Sequence, residues 1–310
     1  MAALTHDRQF DPQHGTPVTV APGIVRVTAH NPSPMTFHGT NTYLIGDDEV
    51  AIVDPGPALD QHVEALRQAI AGRPVSHILV THTHADHSGA VPAVQRLVDA
   101  PTVGEGPHRS GRALREGEAS GLDSSGDRSF TPDIVVGHGD RLVAGGRTVE
   151  VIATPGHTAN HVAFALPDEG LLFSGDHVMI WSTTIVAPPD GVMVDYMASL
   201  DRLLSRGDRR YLPGHGGAVH DPQAYVSALK DHRQKREEAI VRALSDGPLP
   251  IPEMVRKIYV ALDPALRRAA GLSLLAHLED LVERGTVEAD PAVTFDATYR
   301  LVGPWAPPSS

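Results

Sequence analysis

The sequence predicts an α/β protein followed by a small helical domain at the carboxyl end. Strand-like apolar runs alternate with helical patterns over the first two thirds of the 310 residues, and helical patterns dominate from about Pro222 onward. A chain of this length can bury a sizeable core without disulfides, and it contains no cysteine. We therefore predict a larger domain over residues 1–221 and a helical, winged-helix-like domain over residues 222–310.

Strand predictions in the first domain fall into two groups, each a set of short apolar runs bounded by turn residues. The runs are TPVTV, GIVRVTAH, TNTYLIG, EVAIVDPG and VSHILVTH in the first group, and DIVVG, RTVEVIATPG, HVAFALP, GLLFSG and DRRYLPGHG in the second. Helical periodicity covers residues 58–72, about 87–99 and 194–207. The polar stretch from Gly104 to Thr131 predicts a mobile loop insert near the mouth of the site.

The carboxyl-terminal part is predicted to be mainly helical. Helical patterns cover residues 223–247, 251–262, 265–270 and 272–285, and a short β-like segment follows over 286–303. Three or more helices that end in a hairpin are typical of a winged-helix-like module. The leucine-rich stripe over 272–282 is expected to form its core.

Charge and hydropathy restrict the partners of this protein. The formal net charge of −12 repels polyanions at long range and disfavours nucleic acid. No apolar run approaches the roughly 18 residues of a membrane span, and the first residues lack the pattern of a secretory signal. We expect a cytoplasmic protein with no membrane partner.

A dense cluster of metal-ligand residues, Thr81-His82-Thr83-His84-Ala85-Asp86-His87, follows the apolar strand HILV directly and precedes a helical pattern. In an extended segment residues two apart point the same way, so His82 and His84 can approach one metal together. The turn that follows directs Asp86 and His87 elsewhere. One short loop can therefore serve two ions.

Three further candidate ligands stand where predicted strands end, each after an apolar run and a glycine: His157, Asp176 and His215. Glycine lets the backbone turn sharply, as a ligand on a loop above a rigid sheet requires. Asp54, in Val-Asp-Pro-Gly, has the same placement and could orient a ligand imidazole. Because the chain has 18 histidines and no cysteine, any metal must be held by imidazole and carboxylate groups.

This pattern, H-x-H-x-D-H followed by separate His, Asp and His residues, resembles the signature of the metallo-β-lactamase superfamily over roughly residues 16 to 220. The resemblance implies an αββα sandwich. It also implies two metal ions, with zinc expected and iron or manganese as alternatives. In it His82, His84 and His157 hold the first ion, Asp86, His87 and His215 hold the second, and Asp176 bridges both.

The last third resembles the lactamase-beta-like branch with a winged-helix-like domain, in His232-Arg233 with Arg236-Glu237 and in the runs over 251–262 and 276–285. That branch includes a mitochondrial single-strand endoribonuclease and many bacterial metallohydrolases. The chain lacks the cysteine that is common in the second site of antibiotic-degrading members, and the large insertion of ribonuclease J-type nucleases. Glyoxalase II shares the same seven ligands.

Other polar residues have less specific context. For six histidines we predict a structural role: His62, His77, His108, His138, His220 and His277. Asn160, His161 and His177, next to predicted ligands, orient the site or merely stabilise the fold, and Trp181 walls a pocket or packs the two domains together. Lys230 to Arg236 is basic, but residues 230–310 hold 11 Lys or Arg against 12 Asp or Glu, which favours a solvated helix face.

The sequence leaves three functions open. In the first, the two metals share a hydroxide that attacks a small ester, thioester, lactone or amide, and Asp86 is the catalytic residue that moves a proton. In the alternative, the same hydroxide cleaves single-stranded RNA, guided by the carboxyl-terminal domain. In the third, the metal site is structural or sensory. The net negative charge favours a small-molecule acyl substrate over RNA.

Overall fold

The computed structural model describes residues 4–115, 118, 125–303 and 305, and begins with a mixed β-sheet. The strands of this first sheet lie in sequence order: β1 (Val18–Ala21), β2 (Ile24–Thr28), β3 (Asn41–Ile45), β4 (Val50–Val53), β5 (Val75–Leu79), β6 (Thr102–Gly104) and β7 (Ile134–Val135). Neighbours from β1 to β4 are antiparallel, and those from β4 to β7 are parallel.

A second sheet packs against the first. Its strands, in sequence order, are β8 (Arg141–Ala144), β9 (Arg147–Ala153), β10 (Val162–Leu166), β11 (Leu171–Gly175) and β12 (Arg210–Pro213). All neighbours are antiparallel except β11 and β12, which are parallel. The helix between those two strands makes the parallel crossover feasible.

Helices cover the outer faces of both sheets. They are α1 (Asp60–Ile70), α2 (Ala85–Ser88), α3 (Val91–Gln95) and α4 (Met193–Leu204). Residues of α1 and α3 share one buried cluster with strands of the first sheet, and α4 shares another with the second sheet. A third cluster, with Tyr43, Phe164 and Phe173, fills the space between the sheets. The order helix, sheet, sheet, helix confirms the predicted αββα sandwich.

The carboxyl-terminal part is a winged-helix domain. It contains α5 (Pro222–Leu244), β13 (Leu249–Pro250), α6 (Ile251–Ile258), α7 (Arg267–Glu283), β14 (Val287–Asp290) and β15 (Thr298–Leu301). The three strands form one sheet in the order β13, β15, β14, and with the helices they enclose a separate core. This confirms the predicted helical module with a terminal hairpin.

Helix α5 connects the two cores. It begins at Pro222, where Asp221 caps it, so the predicted domain boundary at 221/222 falls at its first turn. Tyr225, Val226 and Leu229 pack in the cluster beneath the second sheet, whereas Ile240 and Leu244 pack in the winged-helix core. The domain boundary itself stays a prediction, because one helix contributes to both cores.

Three local predictions differ from the structure. The helix predicted over 87–99 is two short helices, because Pro92 cannot donate the backbone hydrogen bond that would continue α2 into α3. Strands β6 and β8 were not predicted. The predicted insert over 104–131 packs at its described ends: Phe130 is buried in the core beneath α3, and Ala85 N donates to Ser125 O. The predicted mobility of its middle concerns residues 116–124, most of which lie outside the described residues.

Within the described ranges, no helix is both long enough and apolar enough to cross a bilayer.

Candidate metal centre

The seven predicted ligands come from loops that follow four strands. His82 and His84 lie in the extended segment after β5, and Asp86 and His87 lie on α2. The other three follow β9, β11 and β12: His157, Asp176 and His215. Long-range pairing therefore brings together residues that are far apart in sequence.

The ligand atoms converge into three overlapping groups, within each of which they lie no more than 4.8 Å apart. The groups are His82 with His84 and His157, Asp86 with His87 and His215, and His82 with His87 and Asp176. The first two match the two predicted sets of ligands. The third connects them through Asp176, the residue predicted to bridge.

The orientation of the imidazole rings follows from contacts on their outer sides. Nδ1 of His157 donates to Ile185 O at 2.7 Å, and Nδ1 of His215 donates to Gly39 O at 3.2 Å. Nδ1 of His87 donates to an Asp54 carboxylate oxygen at 2.8 Å. Each of these rings therefore presents an unprotonated Nε2 when neutral, which is the form that binds a metal.

His82 also presents Nε2 to the centre, whereas His84 presents Nδ1. Thr81 Oγ1 donates to Asp54 at 2.8 Å, so its oxygen can accept from His82 Nδ1 at 3.0 Å and leave Nε2 for the centre. Nδ1 of His84 lies 3.0 Å from Nε2 of both His82 and His157. His84 thus presents Nδ1, and the first group of ligands closes around one point.

Asp54 performs the role predicted for it. Its carboxylate accepts from Thr81 N at 2.7 Å, from Thr81 Oγ1 and from His87 Nδ1. Its backbone has φ +50°, a left-handed conformation that non-glycine residues adopt rarely and at a cost. The surrounding contacts stabilise this conformation, so the strained turn at the end of β4 holds two ligand rings.

The carboxylates of the site attract positive charge. Burial lowers the pKa of His215, but Asp176 and Asp86 more than compensate and raise it to about 9. Burial likewise lowers the pKa of His87, and Asp86 and Asp176 raise it well above its ordinary value. For both aspartates burial raises the pKa, but His87 and His215 lower it below the ordinary range.

This donor set fits divalent metal ions. His87 Nε2 and Asp176 Oδ1 are buried 3.4 Å apart, and neither makes a well-formed hydrogen bond within the described residues. Unpaired buried polar atoms are costly, and a cation between them satisfies both. Five imidazoles and two carboxylates are ligands suited to zinc, iron or manganese. The chemistry and the geometry agree.

Two glycines are required by the close approach of the ligand loops. A Cβ on Gly214 would lie 2.5 Å from the His87 ring and 2.6 Å from Asp176 Oδ1. A Cβ on Gly175 would lie 2.6 Å from His161 Nε2, and its φ of +49° also favours glycine. The glycines before Asp176 and His215, noted in the sequence, thus leave room for the residues packed around the centre.

Asn160 and His161 orient the metal loops. Asn160 Nδ2 donates to Thr83 Oγ1 at 2.9 Å, between two ligands, and to Gly106 O. The backbone NH of Asp176 donates to His161 Nε2 at 3.2 Å, so His161 carries its proton on Nδ1, toward Thr154 Oγ1. Burial lowers the pKa of His161 far below its ordinary value, which keeps Nε2 able to accept.

His108, for which the sequence predicted a structural role, contacts a residue of the metal loop. Its Nδ1 lies 3.0 Å from Thr83 Oγ1, and its Nε2 lies 3.1 Å from an Asp190 carboxylate oxygen. Since Asn160 donates to Thr83, the Thr83 hydroxyl donates to His108, whose Nε2 then donates to Asp190. His108 and Thr83 are 25 residues apart in sequence, and no sequence pattern indicates that they are in contact.

Thr40 is the second residue that the sequence did not indicate. Its hydroxyl donates to Asp86 Oδ2 at 3.0 Å and accepts from Asn31 Nδ2 at 3.0 Å. Asp86 is the most exposed of the aspartate and histidine ligands that form ion pairs, with 24% of its side chain accessible. Thr40 therefore orients the most exposed carboxylate among these ligands.

Trp181 lies beside the metal centre. It is buried, stacks on Phe37 at 4.8 Å between ring centroids, and blocks any side chain at Gly216, next to His215. These contacts lie within the first domain, and the role of Trp181 as a pocket wall stays a prediction. Three histidines predicted to be structural lie outside every ligand group: His138 and His220 are exposed, and His77 is half-buried.

The sequence predicted that the basic run on α5 is a solvated helix face. In the structure, part of this run is buried. Arg233 is 3% exposed and donates to Thr184 O, and Arg236 stacks on Tyr259. The error arises because Arg233 faces the catalytic domain, which helical periodicity cannot reveal. His232 and His277 are largely buried near these arginines.

Comparison with known proteins supports the same family. The profile described as "Metallo-beta-lactamase superfamily" matches residues 35–215, and "Beta-lactamase associated winged helix domain" matches residues 251–293. The chain is 29% identical over 301 residues to the beta-lactamase-like protein 2 homolog of Caenorhabditis elegans, covering 95% of this chain and 94% of that protein.

Two further relatives extend this comparison. An atrochrysone carboxyl ACP thioesterase of Aspergillus terreus is 28% identical, covering 89% of this chain and 83% of that protein. The crystal structure of a metallo-beta-lactamase family protein from Thermus thermophilus superposes with a TM-score of 0.73 at 29% identity, covering 92% of this chain and all of that one. The chain belongs to the metallo-beta-lactamase superfamily and is a metal-dependent hydrolase.

Proposed function

We propose that this hydrolase uses two metal ions to cleave carboxylic thioesters or esters. The observation that carries the choice of acyl substrates is the burial of Arg233, the central cation of the basic run, which makes it unavailable to a phosphate backbone. The net charge of −12 also disfavours a polyanion. A relative named as a thioesterase, similar over most of the chain, supports the same class.

The seven ligands support a dinuclear site. His82, His84 and His157 would hold one ion, Asp86, His87 and His215 the other, and Asp176 would bridge them. Bound zinc ions, or iron or manganese in their place, would lower the pKa of a water molecule and polarise the acyl carbonyl. Asp176 would fix the spacing of the two ions, since it lies between both sets of rings.

Asp86 is the residue proposed to move a proton. It combines partial exposure with a fixed orientation, because the Thr40 hydroxyl donates to Oδ2. A carboxylate at this position can receive a proton from the attacking water and deliver it to the leaving thiolate or alkoxide. Thr40, anchored by Asn31, keeps the carboxylate in place without supplying a second charge.

The loop between β2 and β3 offers an apolar surface for the acyl group. Its Gly39 carbonyl contacts His215, and Thr40 pairs with His215 through a β-bridge. Met35 on this loop is 43% exposed, and Phe37 stacks on Trp181. An apolar chain that binds here would bury surface next to the reacting carbonyl.

A matched panel tests the proposal. Metal-loaded protein is assayed on thioester, ester, lactone and amide substrates and, at low salt, on unstructured RNA, beside its Asp86→Asn variant. We expect thioester or ester turnover that is lost in the variant and on chelation, with RNA left intact. RNA cleavage that depends on Asp86, without acyl turnover, would establish the endoribonuclease instead.

A further inference from the structure

A buried arginine of the carboxyl-terminal part reaches the catalytic domain. Arg233 lies on α5 and is 3% exposed. Its guanidinium donates through Nη2 to the backbone carbonyl of Thr184 and lies 5.0 Å from the ring centroid of Tyr196. Burying a charged group is costly unless it is well paired, so these two contacts at the domain boundary need an explanation.

Both partners of Arg233 hold the peptide that follows β11. The Thr184 hydroxyl contacts Asp176 O at 2.6 Å and His177 O at 3.0 Å, and donates its proton between them. The Tyr196 hydroxyl donates to His177 O at 3.1 Å. Arg233 therefore contacts both residues whose hydroxyls fix the backbone of Asp176 and His177.

We propose that Arg233 is a positioning residue for the metal centre, acting on the bridging Asp176 through Thr184 and Tyr196. This inference rests on the bridging role in the proposed function. The Asp176 backbone is held on its carbonyl side by Thr184 and on its NH side by His161. Removing Arg233 frees the Thr184 carbonyl and lets the peptide rotate, which moves the carboxylate relative to both sets of histidines.

The proposal gives the winged-helix domain a part in catalysis without contact with substrate. It also gives a role to Arg233, one of the four residues in the His232-Arg233 and Arg236-Glu237 pattern noted in the sequence. Glu237 pairs with Arg284 at 2.7 Å and accepts from Trp305 Nε1, so it stabilises α5 within its own domain. Arg233 is the member of the pattern that contacts the catalytic domain through Thr184.

The first test compares two arginines of the same helix. Arg233→Met is compared with Arg236→Met, since Arg236 stacks at 4.0 Å on Tyr259 of the carboxyl-terminal domain. Zinc affinity of the full chain is measured by chelator competition, and the thermal midpoint is measured on metal-free protein. We expect Arg233→Met to weaken zinc binding by about 10- to 100-fold, as is typical when a group behind a ligand is lost. Arg236→Met should leave affinity unchanged.

Equal effects of the two variants on zinc affinity would overturn the proposal, because both would then act through general stability. Zinc affinity is independent of the substrate, so failure of acyl hydrolysis in the proposed function leaves this result interpretable.

A second test keeps Arg233 and serves if its variant does not fold. Thr184→Val removes the hydroxyl but keeps the carbonyl that Arg233 contacts, and Thr184→Ser keeps both. We expect Val to weaken zinc binding and to alter the absorption spectrum of the Co²⁺-loaded protein, and Ser to restore both. The double variant Arg233→Met/Thr184→Val should lose no more affinity than the stronger single variant. Additive losses would contradict a shared path through Thr184.

Discussion

The metal centre is buried and the salt-bridge cluster between the domains is partly buried; both are highly polar, yet their charges are arranged differently. In the cluster, Glu279 of α7 accepts from Arg112 and Arg115 at 2.6 Å, and Arg112 also pairs with Glu118 at 2.7 Å. Each charge there has an opposite charge at hydrogen-bonding distance. In the metal centre, ring nitrogens and carboxylate oxygens face one another at 3.3–3.9 Å.

This difference separates a structural cluster from a binding site. The interdomain cluster balances itself, and a further ion would find no unpaired donor or acceptor to bind. The metal centre gathers acceptor atoms whose mutual repulsion falls when a cation lies between them. Burial of polar groups alone therefore does not indicate a binding site. Buried acceptor atoms that lack matching donors do.

The largest effect is expected from variants that remove a ligand of the metal centre. Asp176→Ala removes the bridge and His84→Ala removes a ligand of the first group, so each should lower bound metal and reduce activity by more than about 100-fold, exceeding losses typical of residues behind ligands. Elemental analysis and turnover assays measure both. Full metal occupancy with normal turnover in the two variants would remove these residues from the centre.

Asp86→Asn should sharpen the assignment of roles within the centre. An amide oxygen can still coordinate but cannot carry a proton, so kcat should fall by about 100- to 10,000-fold while metal content falls much less. Parallel measurement of kcat and metal content tests this. If both fall in proportion, Asp86 is a ligand only and the proton passes elsewhere.

In the interdomain cluster, Glu279→Gln should change stability and leave the metal unaffected. Removing this buried carboxylate takes a counter-ion from both arginines and leaves Arg112 with Glu118 alone, which we expect to cost about 2 kcal/mol of unfolding free energy. Chemical denaturation of the metal-free protein gives this value, and chelator competition gives the zinc affinity. A large loss of zinc affinity would mean that the two polar regions are coupled, contrary to the comparison.

The smallest expected effect is a loss of stability in acid near the same boundary. Burial and the nearby Arg233 lower the pKa of His232 to about 3, from 6.5 in an unfolded chain. The unfolded state therefore binds the proton first, and stability declines as the pH falls from 6.5 toward 3. For His232 the loss should be on the order of 1 kcal/mol by about pH 5.5.

Thermal midpoints of metal-free His232→Gln and unaltered protein at neutral and mildly acidic pH test this expectation. The midpoint of the unaltered protein should fall more between the two pH values. An identical decline in both proteins would assign the acid sensitivity to other groups.

The sequence was most informative where a residue type or pattern is typical of a single structural or chemical role. Alternating strand and helix patterns predicted an α/β fold, and the resemblance to the metallo-β-lactamase signature implied the sandwich. The seven candidate ligands were identified because imidazoles and carboxylates stood directly after strands in that pattern. Strand β8 was missed because its four residues, Arg-Leu-Val-Ala, are too few to show an alternating pattern, and Val143 is 63% exposed at the sheet edge. His108, Thr40 and Arg233 were missed because their partners are 25 to 49 residues away, and only tertiary packing brings them together.

The outward hydrogen bonds of the ligand rings have a consequence for how the enzyme acquires metal. Nδ1 of His87, His157 and His215 is held by Asp54 or by backbone carbonyls, so folding fixes these rings before any ion arrives. The entropy of ordering them is lost at that stage, and little reorganisation remains for the ion to drive. Metal uptake should then require loss of water from the incoming ion and of a proton from the His215 ring, whose pKa is about 9, and the fold should persist through cycles of removal and reloading.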